Sequence, residues 1–210
     1  MDNNEISVST FNKLAEEYQQ KYMDFDFYFD TYDRFCELVK NDNATIFEIA
    51  CGPGNITKYL LNKRPGFKIE GIDLAPSMVE LARANNPTAT FRVMDSRAIA
   101  TIDKTFDAVV CGFCTPYLCR DDVARLIGDV RGLLKKDGIF YLSTMEDEYE
   151  KSGLQTSDSG DRVFIYYHAM AYLEQQLANS GFRIVDFRRK AFPAGKGQPA
   201  TDLFLIARAI

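Results

Sequence analysis

The sequence predicts a single α/β domain over residues 1–210, built on a mostly parallel β-sheet, and three observations favour this fold class. Hydrophobic residues make up 46% of the chain, a proportion typical of globular proteins. Five strand-like segments alternate with helical patterns, as expected for βαβ units. Two further strand-like segments follow near the end of the chain and predict an antiparallel hairpin around Arg188–Asp202.

Each element is predicted from hydrophobic periodicity and from turn residues. Apolar residues spaced by three or four between Phe11 and Val39 predict two N-terminal helices bent near Met23–Asp26, which form a helical cap over residues 1–40. Later helices are expected from Gly54, from Pro76 at a first-turn position, over Asp121–Leu134 and over Ala169–Ser180. The predicted strands are Thr45–Ile49, Phe67–Ile72, Thr90–Met94, Phe106–Cys111, Gly138–Ser143, Phe182–Arg188 and Leu203–Ala209.

A polar, turn-rich segment interrupts this alternation after the fifth strand. The segment begins at Glu146 and stays polar as far as Asp161. Long loops that interrupt a compact domain are often functional lids. We therefore predict a lid insertion over residues 146–168.

Composition excludes or disfavours several classes of protein. The net charge is −5 and the pI is about 5.0, so no feature favours nucleic acid as a partner. No run approaches the roughly 18 apolar residues of a membrane span, and the polar N-terminus lacks a signal pattern. These features predict a cytoplasmic protein without a membrane partner. Five cysteines, an odd number, indicate free thiols.

A glycine-rich turn follows the first predicted strand in the sequence TIFEIACGPGNIT. Gly52 and Gly54 allow the backbone to turn sharply and to approach a ligand. Ligands of open parallel sheets bind at the carboxyl ends of the strands. Taken alone, such a turn is also compatible with a purely structural role.

Three successive strands carry an acidic residue at or near their carboxyl ends, namely Glu48, Asp73 and Asp95. An ionised Asp73 can accept both hydroxyl groups of a ribose, because a carboxylate has two acceptor oxygens. Each acid could instead cap the following helix. Three acids at one edge of a sheet favour a cationic ligand with hydroxyl groups and disfavour phosphates.

With these motifs in place, the chain resembles the class I S-adenosylmethionine-dependent methyltransferases. EIACGPGN is similar to the first motif of that family, with Ala50 in place of its first glycine; an alanine fits there if its φ angle is negative. The resemblance implies the strand order 3-2-1-4-5-7-6, an S-adenosyl-L-methionine cofactor and in-line methyl transfer to a small molecule. The cofactor-binding residues that it implies are Tyr22, Glu48, Ala50, Gly52, Gly54, Asp73, Leu74, Met78, Asp95, Ser96 and Cys111.

Two alternative functions stay open. An NAD(P)-dependent oxidoreductase would use Gly52, Gly54 and an acid about 20 residues further on, but Thr57 replaces the third glycine of that fingerprint. A catalytically silent cofactor-binding module would keep the same residues. The pair Cys111 and Cys114 resembles a redox or metal motif, but Pro116 follows too soon for a thiol pair at a helix start, and no metal is expected.

The sequence does not identify a catalytic residue or the methyl acceptor. Tyr117, after the fourth strand, and His168, the only histidine, are weak catalytic candidates. We expect His168 to cap the last helix rather than to act as a base. The oligomeric state cannot be predicted from these patterns.

Overall fold

A central β-sheet organises the protein, whose computed structural model describes residues 3–192 and 200–210. Within these residues, seven strands form one sheet in the order β3-β2-β1-β4-β5-β9-β8, and two more form a separate hairpin, β6-β7. The strands are β1 Thr45–Ile49, β2 Lys68–Asp73, β3 Thr90–Val93, β4 Phe106–Cys111, β5 Leu134–Glu146, β6 Gly153–Thr156, β7 Arg162–Ile165, β8 Phe182–Phe192 and β9 Ala200–Ala209.

The topology agrees with the prediction. Strands β1 to β5 are parallel, while β9 runs antiparallel to both β5 and β8. Counted within this sheet alone, the order is the predicted 3-2-1-4-5-7-6. The predicted terminal hairpin is confirmed by the pairing of β8 with β9, and its connection lies outside the described residues.

Strands β5 and β8 are longer than predicted. β5 was predicted to end at Ser143 and β8 at Arg188, but they continue to Glu146 and Phe192. The extensions include the charged residues Glu146, Arg189 and Lys190, and Arg189 of β8 forms an ion pair with Glu146 of β5 at 2.5 Å. This ion pair joins two strands that both pair with β9 and are not neighbours in the sheet.

Seven helices of the described residues surround the sheet. The apolar faces of α6 and α7 pack on one side of it, and those of α3 and α4 on the other. The central strands are apolar on both faces, as parallel strands covered on both sides must be. The helices are α1 Asn3–Lys13, α2 Ala15–Tyr22, α3 Phe29–Leu38, α4 Asn55–Lys63, α5 Pro76–Asn85, α6 Arg120–Leu133 and α7 Met170–Asn179. None of the helices in the described part of the chain is long and apolar enough to cross a membrane.

The N-terminal cap has three helices instead of the two predicted. The predicted bend near Met23–Asp26 is present, where a 3-10 turn over Asp26–Tyr28 separates α2 from α3. A further break at Leu14 separates α1 from α2. It allows α1 to pack against both β7 and α5 while α2 continues along α5.

The predicted lid segment contains the β6–β7 hairpin, which is attached to α1. Ser7 Oγ accepts a hydrogen bond from the Phe164 N–H at 3.0 Å, and Thr10 Oγ1 donates one to the Arg162 carbonyl at 2.6 Å. Lys13 forms an exposed ion pair with Asp161. Two polar side chains of α1, one turn of the helix apart, thus bond to the backbone of β7.

Candidate active site

Two adjacent cavities lie at the carboxyl edge of the parallel strands. The first extends over the ends of β2 and β3 beneath α1 and α2, and the second extends towards β5 and β9 beneath α2 and α3. Both are bordered by the loop after β1, by the loop after β4 and by Tyr18, so they lie side by side. Among the described lining residues of both cavities there is no lysine, arginine or histidine.

The glycine-rich loop after β1 has an unusual backbone. Ala50, Gly52 and Gly54 all have positive φ angles, of 54°, 53° and 80°. The expectation of a negative φ at Ala50 is therefore wrong. An L-residue in this region costs roughly 1–2 kcal/mol because its Cβ approaches the following carbonyl oxygen. Backbone strain of this kind often marks functional sites.

The structure favours glycine at positions 52 and 54 for different reasons. A Cβ at residue 52 would stand 3.8 Å from the Tyr18 ring, facing the cavity. A Cβ at residue 54 would collide with the side-chain amide of Asn86. Gly54 caps the N-terminus of α4 and does not border either cavity, whereas Gly52 borders both.

Two asparagines at the end of α5 hold this loop from behind. Asn86 is buried and donates to the Gly54 carbonyl at 3.0 Å, and Asn85 donates to the Pro53 carbonyl at 2.8 Å. The loop conformation is therefore fixed by the protein itself. Neither asparagine was predicted from the sequence, because a loop partner 32 residues away leaves no local pattern.

Asp73 lies at the end of β2 and faces the first cavity. Its Oδ2 accepts the Gly52 N–H and its Oδ1 accepts the Ala75 N–H, both at 2.9 Å. Burial raises the pKa of this carboxyl above its ordinary value, although these hydrogen bonds oppose the shift. Each oxygen retains acceptor capacity for a ligand hydroxyl.

Asp95 and Ser96 border the same cavity beyond β3. Asp95 accepts the backbone N–H of Arg97 at 2.8 Å and forms an ion pair with the Arg97 guanidinium at 2.7 Å. Arg97 thus compensates the charge of Asp95, while Asp73 has no ion-pair partner among the described residues. Leu74, Met78 and Met94 supply apolar surface between these two acids.

Glu48 lies beneath the loop and borders the second cavity. Its side chain is buried and accepts a hydrogen bond from Thr57 Oγ1. Burial raises the pKa of Glu48 to about 8. Thr57 is therefore the hydrogen-bond partner of Glu48, the first acid of the glycine-rich motif. From the sequence, Thr57 was noted only as the residue that replaces the third glycine of a dinucleotide-binding fingerprint.

The loop after β4 separates the two cavities. Cys111 is fully buried and does not border either cavity, whereas its neighbours Gly112 and Phe113 border both. Phe113 has a φ angle of 51°, and its N–H donates to Ser143 Oγ at 3.0 Å. All five cysteines are free thiols, and the described residues contain no cluster suited to a metal ion.

The two weak catalytic candidates are placed differently. Tyr117 borders both cavities. His168 is fully buried and borders neither, and its Nε2 lies 3.0 Å and 3.1 Å from the carbonyl oxygens of Thr115 and Leu118. The prediction that His168 caps the last helix is wrong, because Ala169 is the N-cap of α7 and has no capping side chain.

The second cavity contains residues that sequence reasoning did not select. Tyr22, which was predicted to bind the cofactor, borders this cavity, as do Tyr28 and Asp202, for which no role was predicted. The Tyr28 hydroxyl donates to Asp202 Oδ2 at 2.6 Å, and Asp202 is only 3% exposed. Because the last strand was predicted to begin at Leu203, Asp202 was assigned to the preceding hairpin connection.

Comparison with known proteins agrees with this architecture. Residues 46–138 match a family model described as a methyltransferase domain. The chain is 38% identical over 76 residues to putative methyltransferase 235L of Invertebrate iridescent virus 6, covering 36% of this chain and 28% of that protein. It is 28% identical over 135 residues to demethylmenaquinone methyltransferase of Thermotoga maritima, covering 63% and 58% of the two chains.

Solved structures share the fold across almost the whole chain. A SAM-dependent methyltransferase from Methanosarcina mazei has a TM-score of 0.72 at 22% identity, covering 84% of this chain and 97% of its own. Magnesium protoporphyrin IX methyltransferase from Synechocystis PCC 6803, solved with bound SAH, has a TM-score of 0.75 at 16% identity, covering both chains completely.

The matched segment and the solved structures point to the same fold. The chain has the fold of the class I S-adenosylmethionine-dependent methyltransferases, and the resemblance predicted from the sequence is confirmed. The matched segment begins one residue into β1 and ends at Gly138 in β5, so it contains the glycine-rich loop and the ends of β2, β3 and β4.

Proposed function

We propose that the first cavity binds S-adenosyl-L-methionine and that its methyl group is transferred to a small molecule in the second cavity. The observation that carries this proposal is a pair of adjacent cavities bordered by carboxyl groups and aromatic rings, with no cationic side chain among their described lining residues. A pyrophosphate would meet Asp73 without a compensating charge, whereas a sulfonium and two ribose hydroxyls suit it. The fold likeness supports the same reading.

The described residues fit this cofactor at each of its parts. Asp73 would accept the ribose hydroxyls, and Leu74 and Met78 would contact the adenine beside Asp95 and Ser96. The backbone at Ala50 and Gly52, which borders both cavities, would approach the amino-acid part, and Tyr22 would cover that part from the side of the second cavity. Cys111 was expected to contact the cofactor at the end of β4, but its neighbour Gly112 borders the cavities and would make that contact instead. Glu48 and Gly54 would act by supporting the loop.

The protein contributes positioning and exclusion of water rather than a covalent intermediate. When bound, the cofactor supplies an activated methyl group for in-line displacement. Good positioning of two reactants can supply roughly 7–11 kcal/mol of the barrier. Residues 1–40 and the lid at 146–168 would cover the reacting groups within one domain of 210 residues. A cytoplasmic location and the absence of a nucleic-acid partner stay predictions from composition.

Calorimetry with S-adenosylhomocysteine and with NADH tests the proposal. We expect S-adenosylhomocysteine to bind the purified protein with a stoichiometry of one and NADH to show no binding heat. Binding of NADH without binding of S-adenosylhomocysteine would refute the proposal and favour the oxidoreductase alternative. Binding of S-adenosylhomocysteine without detectable methyl transfer to any compound of a metabolite extract would favour the silent binding module.

A further inference from the structure

The second cavity has an acidic end that the proposed cofactor does not need. Asp202 lies on β9, and in the sheet order three strand spacings separate β9 from β1. At about 4.8 Å per spacing, this is roughly 14 Å across the sheet. The proposed adenosine site lies on the other side of β1, at the ends of β2 and β3. Asp202 is thus placed to meet the acceptor and not the cofactor.

The carboxylate of Asp202 has no cationic partner among the described residues. Its cross-strand neighbour Lys190 is directed elsewhere, to Asp30 Oδ1 and to the Phe27 carbonyl, each at 2.6 Å. The hydrogen bond that Asp202 receives comes from the Tyr28 hydroxyl. A buried carboxylate without a cation is costly, so a bound cation would compensate the charge of Asp202.

Aromatic rings surround the same end of the cavity. The Tyr28 ring centroid lies 5.4 Å from that of Phe25, 5.4 Å from that of Phe113 and 5.1 Å from that of Phe204. Phe25, Tyr28 and Phe113 border the cavity together with Asp202. A cation is attracted to the faces of such rings, and aromatic cages are a recurrent device for binding methylated ammonium groups.

We propose that the methyl acceptor is a small amine, whose nitrogen is held by the Asp202 carboxylate against the rings of Tyr28 and Phe113. This inference rests on the proposed function and specifies its substrate class. A carboxylate or phosphate acceptor would meet an acidic cavity without a cation. A neutral alcohol would leave the charge of Asp202 uncompensated.

The same carboxylate can handle the proton that amine methylation releases. The bound ammonium first gives one proton to Asp202, which frees the nitrogen lone pair. The lone pair then forms a bond to the methyl carbon while the carbon–sulfur bond breaks, and the sulfur keeps that electron pair. The product is again an ammonium, and Asp202 passes its proton to water. Burial raises the pKa of Asp202, which makes it a stronger proton acceptor than an exposed aspartate.

The test compares a cation with its neutral isostere in the presence of saturating S-adenosylhomocysteine. Choline and 3,3-dimethylbutan-1-ol have nearly the same shape, but only choline is charged. We expect choline to bind at least about tenfold more tightly, since a desolvated cation–aromatic contact and a charge pair both favour it. Equal binding of the two compounds, preference for the alcohol or no choline binding would overturn the inference.

Two variants assign the preference to Asp202. In Asp202→Asn the preference for choline is expected to fall below about threefold, whereas Asp103→Asn removes the same charge at an exposed site and is expected to keep it. If Asp202→Asn does not fold, Phe113→Leu is expected to weaken choline binding and to leave binding of the alcohol unchanged. A choline preference that survives in each folded variant would contradict the assignment.

The order of measurements separates this inference from the proposed function. Binding of S-adenosylhomocysteine is measured first, on the wild-type protein. Its failure would refute the proposed function. Normal binding of S-adenosylhomocysteine, followed by no preference for choline, would refute only the amine acceptor.

Discussion

Asp73 is the residue on which the cofactor proposal depends most directly. Both of its oxygens accept backbone N–H groups, one of them from Gly52 in the glycine-rich loop. In Asp73→Ala we expect affinity for S-adenosylhomocysteine to fall tenfold to a hundredfold, because a hydrogen bond to a charged group contributes about 1.5–3 kcal/mol. Calorimetry on Asp73→Ala and on the exposed control Asp103→Ala measures the change. An unchanged dissociation constant would remove Asp73 from the ribose site.

Ala50 occupies a backbone conformation that suits glycine better. Its φ angle is 54°, so Ala50→Gly removes the steric strain of the Cβ. The backbone entropy that glycine loses on folding is a smaller cost than the strain that is removed. We expect the free energy of unfolding to rise by about 0.5–1 kcal/mol, measured by urea denaturation. The control Ala124→Gly, in the middle of α6, is expected to lower it by about 0.5–1 kcal/mol. Destabilisation by both variants would show that Ala50 carries little strain.

These residues show where sequence reasoning ends at the level of single positions. The acids Asp73 and Asp95 were predictable because each directly follows an apolar run at a strand end. The sign of the φ angle at Ala50 was not, since it depends on the conformation of the whole turn and no local sequence pattern encodes it. Asp202 was missed because its strand begins with residues that carry no hydrophobic pattern.

Among the elements, the 3-10 turn at Thr115–Tyr117 depends on His168. The Nε2 of His168 faces two carbonyl oxygens of the turn region, which fixes the proton on that nitrogen. In His168→Phe both carbonyls lose this donor, so we expect the free energy of unfolding to fall by about 1–3 kcal/mol. Affinity for S-adenosylhomocysteine is expected to change less than threefold.

The alternative role of His168 gives a different pattern of results. A general base would be indicated by a variant with normal stability and a loss of turnover of roughly 10²–10⁴. Burial lowers the pKa of His168, so it is neutral near pH 7, and its other ring nitrogen, Nδ1, has no hydrogen-bond partner in the described structure. The measurement therefore pairs urea denaturation with the rate of methyl transfer.

The contact between α1 and the β6–β7 hairpin defines a second element-scale prediction. Ser7 is buried and accepts the N–H of Phe164. Ser7→Ala leaves that N–H without its partner, and we expect hydrogen exchange at Phe164 to accelerate about tenfold. The exposed Ser9→Ala on the same helix serves as the control. Equal protection in both variants would mean that α1 does not hold the hairpin.

At the scale of the whole molecule, stability is expected to depend on pH through Glu48. The pKa of this carboxyl is about 8 in the folded protein and near 4.5 in an unfolded chain. Between these values the folded state binds one more proton, so stability decreases as pH rises, by up to about 1.4 kcal/mol per pH unit, and levels off above pH 8.

Glu48→Gln isolates this contribution. We expect the free energy of unfolding of the variant, measured in urea at pH 6 and pH 7.5, to decrease less with pH than that of the wild type. Glu174→Gln, on the exposed face of α7, is expected to follow the wild type. Parallel pH curves for Glu48→Gln and the wild type would indicate that Glu48 is ionised in the folded protein.

The global fold was the most predictable level. Alternating strands and helices sufficed for a parallel sheet, and the resemblance supplied the position of the last strand. The division of the cap into three helices was less accessible, because the break at Leu14 follows from packing on the hairpin and on α5 rather than from a local turn signal. The shape of the second cavity combines residues from α2, α3, the loop after β4 and β9, and no single segment contains it.

The position of β9 between β5 and β8 also bears on how the protein is synthesised. Along β5 the strand edge that receives β9 has apolar residues from Ile139 to Leu142, paired with the stretch from Leu205 to Arg208. The 53 residues between the two strands take roughly 3–10 s to translate at about 5–20 residues per second. During that interval the nascent chain presents an open, apolar strand edge, so its time on the ribosome is the period of greatest exposure to chaperones and to aggregation.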